Sequence, residues 1–152
     1  MMEEETRSGN KGGRVPPQDI VAEKSLLGAL MISNDTLPEI LTILRPRDFY
    51  EQRHQDIFQA MLDLYDRHQP VDLLTLTSEL KSKKKLKEIG GAPYLTELSN
   101  FVPAASHAKA YADIIEKTSV RRRLIRAGTE IANKAYEDDA VADSLIGEAE
   151  RE

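Results

Sequence analysis

The sequence predicts an all-α fold, a compact orthogonal bundle of about six short helices followed by a protruding helical hairpin. Apolar residues recur three and four positions apart in successive segments, which is the spacing of one helix face. Charged residues make up 31% of the chain and aromatic residues only 5%, a balance that favours helices. Residues 104–136 contain no proline and a single glycine, so the longest helix is predicted there.

The totals fit one domain and exclude several kinds of site. A chain of 152 residues has the size of a single domain and needs no disulfides to fold. It has no cysteine, which excludes thiolate catalysis and cysteine-based zinc sites and agrees with a reducing cytoplasm. No apolar run approaches the roughly 20 residues of a membrane span, so no membrane association is expected. The net charge of −5 argues against broad non-specific binding to nucleic acid.

Three parts follow from the patterning along the chain. Residues 1–15 are polar and contain three glycines, so we expect a disordered tail. Residues 16–103 carry the apolar stripes of a globular helical domain. Residues 104–152 are predicted to form the hairpin.

The first two helices of the globular part have clear boundaries. Asp19 is a plausible N-cap of the first helix, which should end near residues 33–34. A short second helix over residues 37–44 is stopped by Pro46.

The third helix starts near Asp48 or Glu51 and should end by Gln69, because Pro70 follows. Asp72 is the predicted cap of a fourth helix. The inward face of that helix is predicted to carry Leu73, Leu76 and Leu80.

A basic segment at residues 81–87 and a glycine turn at 90–91 lead to a fifth helix. We predict that helix over residues 93–98 and a loop over 100–103. The residues predicted for the core of the whole domain are Leu27, Leu30, Phe49, His54, Ile57, Phe58, Leu76 and Leu80.

The histidines and acids between Asp48 and Leu80 raise the question of a metal or catalytic site. His54 and His68 share a helix face but would lie about 21 Å apart, too far for a common metal. A packed or cap-bonded histidine at position 54 is therefore favoured over a ligand, although a small metal protein built on His54 and its acids stays an alternative. Phosphate-loop and nucleophile-elbow motifs are absent from the sequence. We expect no catalytic residue and no cofactor or metal site in this segment.

The long helix predicted at residues 104–136 is apolar on a broad front. Its first half presents Tyr111, Ile114 and Ile115 on one face, and a last helix after residue 139 adds a narrow stripe. Such a hairpin has too few residues for its own core, so self-association or a partner is predicted, with folding back onto the domain as the alternative. The predicted contact residues in the hairpin are Leu124, Ile125, Gly128, Ile131, Ala135 and Leu145.

A positive cluster, Arg121 to Arg123 with Lys117 and Arg126, lies on the same predicted helix. Three consecutive arginines spread over most of a turn, so at least one should face inward or toward another chain. An interface or nucleic-acid contact competes with simple pairing to Glu116 and Glu130 along the helix.

Five stretches in series resemble one family, the N-terminal domain of bacterial replicative DNA helicases of the DnaB type. The stretches are PPQDIVAEKSLLGALMIS, RPRDFYEQRHQDIFQAM, PVDLLTLTSEL, IGGAPYLTEL and YADIIEKTSVRRRLI. The resemblance implies an all-α domain whose hairpins pair, with three pairs forming a collar over six ATPase motors. It also implies binding of the C-terminal domain of primase. Tyr94, in the GG-x-x-YL turn, and Arg122, at the family's usual arginine, join the predicted interface residues.

The same resemblance implies that the chain is a piece of a longer protein, because the linker and the RecA-like motor are missing. ATP and magnesium are then expected only in that motor, which would also make the main contacts with single-stranded DNA. The implied function is assembly and primase interaction within a hexameric 5′–3′ helicase acting in the cytoplasm at the replication fork. A stand-alone helical domain that binds nucleic acid or metal is the alternative.

Overall fold

A computed structural model of the chain describes residues 14–101 and 104–137, and these residues form an all-α structure. Six α-helices and two short 3-10 turns follow one another in the described part. The first five helices are between 7 and 13 residues long, except for the third, which has 15. The helices are α1 (Ile20–Ile32), α2 (Leu37–Ile43), α3 (Gln52–Asp66), α4 (Leu73–Ser82), α5 (Gly91–Phe101) and α6 (Ala108–Ala135), and the 3-10 turns are Pro46–Asp48 and Ala105–His107.

Helix ends are fixed by the side chains that the sequence places there. The Asp19 carboxylate accepts a hydrogen bond from the backbone N–H of Ala22 at 2.9 Å and so caps α1. At the start of α4, Asp72 accepts from the N–H of Thr75, and the Thr75 hydroxyl accepts from the N–H of Asp72, each at 2.9 Å. This reciprocal pair is a capping box, and it stabilises the helix by satisfying two backbone donors.

The core is formed where α1 packs against α5 and α6 while α3 packs against α4. All eight residues predicted for the core are buried, none more than 1% exposed. Phe49 and Phe58 pack with ring centroids 5.0 Å apart. Leu73, predicted to face inward, is instead 38% exposed, because it occupies the first position of α4, before the inward stripe of Leu76 and Leu80 begins.

Two helices, α5 and α6, have boundaries that differ from the prediction. Helix α5 begins at Gly91 and continues to Phe101, so it is longer at both ends than the predicted 93–98. Gly90 and Gly91 have φ angles of 108° and 75°, and this left-handed turn directs the chain straight into the helix. Helix α6 begins at Ala108 rather than Ala104, because the 3-10 turn takes the preceding residues.

Parts of the predicted architecture fall outside the described residues. These are almost all of the tail at residues 1–15 and the second helix of the hairpin, with its contact residue Leu145. Within the described ranges, no helix combines the length and apolarity needed to cross a membrane.

Candidate interface and its buried supports

Helix α6 has two faces of opposite character. Its 28 residues span about 42 Å, which is longer than the contact it makes with the other helices. The face turned to the globular part carries Ala108, Ala112, Ile115 and Ser119, all buried. About half a turn away around the helix axis lie four of the predicted contact residues, Leu124, Gly128, Ile131 and Ala135, and Ile125 lies about 100° from the buried stripe, between the two faces.

The outer face is largely exposed, although Ile131 is half-buried. Leu124 is 65% exposed and Ile125 is 54% exposed. A Cβ placed on Gly128 would meet nothing within 4 Å. Water-exposed leucine and isoleucine at helical spacing are the usual sign of a contact with another chain. We call this surface, from Val120 to Ala135 on the side opposite the body, the outer face of α6.

The broad apolar surface predicted for α6 thus consists of two separate stripes, one on the buried inner face and one on the outer face. Of the three residues predicted to share one apolar face in the first half of the helix, only Ile115 is fully buried, while Tyr111 is half-buried and Ile114 is 39% exposed. The two alanines of the inner face carry too little side chain to stand out in the sequence. Their spacing of four residues, continued by Ile115 and Ser119, was the signal available in the sequence for the inner face.

Arg122 holds α6 to the body at the point where the buried stripe ends. Its guanidinium donates to the carbonyl of Pro17 at 2.8 Å and to the carbonyl of Asp48 at 2.6 Å. Ser119 lies one turn earlier and donates to the Asp48 carboxylate at 2.6 Å. The second oxygen of that carboxylate accepts the backbone N–H of Arg45 at 2.7 Å. Arg122 is therefore the inward-facing arginine of the cluster.

Arg122 therefore acts within its own chain, where it anchors α6 to the globular part. An intermolecular role was predicted for it, and the structure occupies two of its donors with backbone carbonyls instead. Pairing of this arginine with Glu116 or Glu130 along the helix is not what the structure shows. Its planar fork suits two separate acceptors better than lysine would.

A buried polar network holds α1, α3 and α5 together. The Nδ1 atom of His54 lies 2.7 Å from Oε1 of Glu23, and its Nε2 atom lies 2.6 Å from the hydroxyl of Tyr94. The other Glu23 oxygen accepts the backbone N–H of Tyr50 at 2.6 Å. Both Glu23 and His54 are fully buried. Buried polar groups are tolerated only when they are bonded in this way.

The network gives each side of the His54 ring a partner. A carboxylate accepts hydrogen bonds, so Nδ1–H donates to Glu23, while Nε2 pairs with the Tyr94 hydroxyl. Both ring nitrogens are thereby engaged. No group of three or more potential metal ligands lies together in the part of the chain that the structure describes. The alternative of a metal protein built on His54 is not favoured.

Tyr94 lies inside the domain rather than on an exposed surface. It was expected at an interface, but it is only 7% exposed, and its hydroxyl is bonded to His54 inside the domain. The guanidinium carbon of Arg53 lies 3.9 Å from its ring centroid and covers the outer side of the ring. Gly90 leaves room for it, since a Cβ there would lie 3.0 Å from Cβ of Tyr94.

We expect Tyr94 to be the last tyrosine of the folded chain to ionise. Burial raises its pKa from 10.0 to about 12. Because the folded-state pKa is above the unfolded one, this contribution to stability is complete below pH 10 and is lost as the pH rises through about 12. Phenolate absorbance should show one late step among the five tyrosines.

The matched variants for this titration are Tyr94→Phe and Tyr111→Phe. Tyr111 is half-buried and donates to the carbonyl of Ala104 at 3.3 Å. Only Tyr94→Phe should remove the late step. Absence of a late step in the unmodified chain, while circular dichroism still reports folded helix, is the result that would refute the buried network.

Comparison with known proteins decides the family. Residues 15–117 match the model of the DnaB-like helicase N-terminal domain. The chain belongs to this family. It is 48% identical over 138 residues to the replicative DNA helicase DnaB of Geobacillus stearothermophilus. The aligned region covers 91% of this chain and 30% of that helicase. The chain therefore spans about 30% of the length of such curated relatives.

Solved DnaB structures agree with the fold. The crystal structure of the N-terminal domain of DnaB helicase from Mycobacterium tuberculosis has a TM-score of 0.84 at 41% identity and covers 91% of this chain and all of that one. A DnaB-like replicative helicase described with its interactions with primase has a TM-score of 0.72 at 26% identity, covering 86% of this chain and 30% of that one. The DnaB family assignment and the all-α fold predicted from the sequence are both confirmed.

Proposed function

We propose that this DnaB N-terminal domain assembles helicase subunits through the outer face of α6. The observation that carries the proposal is an exposed apolar stripe opposite a firmly anchored inner face. The inner face is fixed by Arg122 and Ser119, so α6 cannot roll to bury the stripe against its own body. A second copy of the chain can cover it with the same stripe in a two-fold pairing.

The pairing supports a larger assembly. In the proposed arrangement, pairs of hairpins join into three dimers within a hexamer. The remainder of the parent chain then supplies ATP hydrolysis with magnesium, the main contacts with single-stranded DNA, and 5′–3′ unwinding at the replication fork in the cytoplasm. Family membership supports this division of labour, since the relatives are replicative helicases and this chain spans only their N-terminal part.

Primase is the proposed second partner of the domain. The support is the likeness to a DnaB-like helicase that is described with its interactions with primase. The C-terminal domain of primase is the expected binding segment. Calorimetric titration of the domain with that segment measures the interaction, and an absence of heat and of any shift in sedimentation would count against it.

Replacing Leu124 and Ile125 together by glutamate should abolish self-association. Each buried leucine or isoleucine is worth roughly 1.5–3 kcal/mol, and two carboxylates facing their copies would add repulsion. We expect the association constant from sedimentation equilibrium to fall at least about 100-fold, which corresponds to about 2.7 kcal/mol.

The control for this experiment makes the same change elsewhere. Val21 and Leu74 are 61% and 79% exposed and belong to α1 and α4 rather than to α6. The double variant Val21→Glu with Leu74→Glu should associate like the unmodified chain. Equal losses in both double variants, or a strict monomer before any substitution, would remove the support for pairing through α6.

A further inference from the structure

A small cavity lined by arginines lies where α6 leaves the globular part. Its volume is about 220 Å³. Arg122, Arg123 and Arg126 reach it from α6, and Arg47 reaches it from the 3-10 turn before α3. Gln55 and Ser119 complete the lining. Four cationic side chains on two separate elements thus converge in a chain whose net charge is −5.

Three of these arginines have no acidic partner of their own. Arg122 is engaged by the carbonyls of Pro17 and Asp48. Within residues 14–101 and 104–137, the side chains of Arg47, Arg123 and Arg126 make no hydrogen bond or ion pair. The nearby carboxylate of Asp48 already accepts from Arg45 and Ser119. Positive charges held together without a counter-ion repel each other, and an anion in the cavity would relieve that repulsion.

We propose that this arginine cavity binds phosphate groups. A guanidinium presents paired N–H donors that match the oxygens of a phosphate, and several of them suit a multiply charged oxyanion better than a single carboxylate. A volume of about 220 Å³ accepts a phosphate group but is smaller than the roughly 300 Å³ at which small-molecule pockets begin. The phosphate comes either from a free phosphate or from the backbone of a nucleic-acid strand.

The cavity lies on the other side of α6 from the outer face. Arg126 and Gly128 are two residues apart, so they point about 200° apart around the helix. Arg123 borders both surfaces, because it also lies beside Val120, Leu124 and Ala127. Arg47 and Arg126 are therefore the residues whose replacement tests phosphate binding without touching the pairing proposed above.

The test compares two variants that each lose two positive charges. The first is Arg47→Gln with Arg126→Gln. The control is Lys117→Gln with Arg121→Gln, whose side chains line a separate hollow with Glu116 and Val120. Each protein is titrated with inorganic phosphate, and separately with a single-stranded oligonucleotide, at constant ionic strength. Thermal melts should be unchanged, because the side chains of Arg47 and Arg126 make no bond within the described chain.

We expect the affinity for phosphate to fall at least tenfold in the Arg47/Arg126 variant and to stay unchanged in the control. If the oligonucleotide shows the same selective loss and phosphate competes with it, the strand is the source of the phosphate. If phosphate alone binds, the ligand is a free phosphate. No phosphate binding to the unmodified protein, or equal losses in both variants, would overturn the proposal. None of these results bears on self-association.

Discussion

Replacing His54 by alanine should cost about 3–5 kcal/mol of folding free energy. The loss has two sources. The fully buried Glu23 carboxylate and the Tyr94 hydroxyl each lose a partner, and a cavity is left where the ring was. A domain of this size is typically stable by only 5–15 kcal/mol, so the variant should unfold at much lower urea concentration.

His68 provides the control for this experiment. It lies just beyond the end of α3, is exposed, and has a φ angle of 57°. Asparagine tolerates that left-handed conformation, so His68→Asn should change stability by less than about 0.5 kcal/mol. Similar small losses in both variants would show that His54 is not the centre of a buried network.

Replacing Arg122 by alanine should release α6 from the globular part and cost about 2–4 kcal/mol. Hydrogen bonds from a charged donor contribute about 1.5–3 kcal/mol each, and two made by one guanidinium are less than additive. The destabilisation should first affect the region around α6. Amide exchange should quicken in α6 and in the segment around Pro17 before it does so in α3.

Two neighbouring substitutions control the Arg122 result. Arg121→Ala removes the same charge from an exposed position and should leave stability nearly unchanged. Arg122→Lys keeps the charge but loses the planar fork, so it should recover only part of the loss. Equal stability of Arg121→Ala and Arg122→Ala would contradict the anchoring role.

Local patterns in the sequence predicted most of the fold. The caps at Asp19 and Asp72 and the apolar stripe of α3 depend only on residues close in the chain, which is why they could be read directly. The partners of His54 could not, because Glu23 and Tyr94 lie 31 and 40 positions away. Such pairing is decided by how α1, α3 and α5 pack, and a single sequence carries no signal of it.

In the candidate interface too, local patterns were predictable from the sequence and contacts between distant residues were not. Leu124 and Ile125 stood out as apolar residues on a helix too long for its domain, and they are exposed in the structure. The division of α6 into a buried face and an outer face was hidden, because alanine and serine contribute little to an apolar pattern. Arg122 was recognised as the family's arginine, but its two acceptors are carbonyls of distant residues, which periodicity cannot reveal.

Disulfide cross-linking through single cysteines tests the pairing of α6 most directly. The chain has no cysteine, so Gly128→Cys places one thiol in the middle of the outer face, where the space around it is open. Glu130→Cys places one at nearly the same height on the opposite side of the helix. Under mild oxidation the account predicts a covalent dimer from Gly128→Cys and little from Glu130→Cys. Monomer alone from Gly128→Cys, or equal dimer from both, would contradict assembly through the outer face.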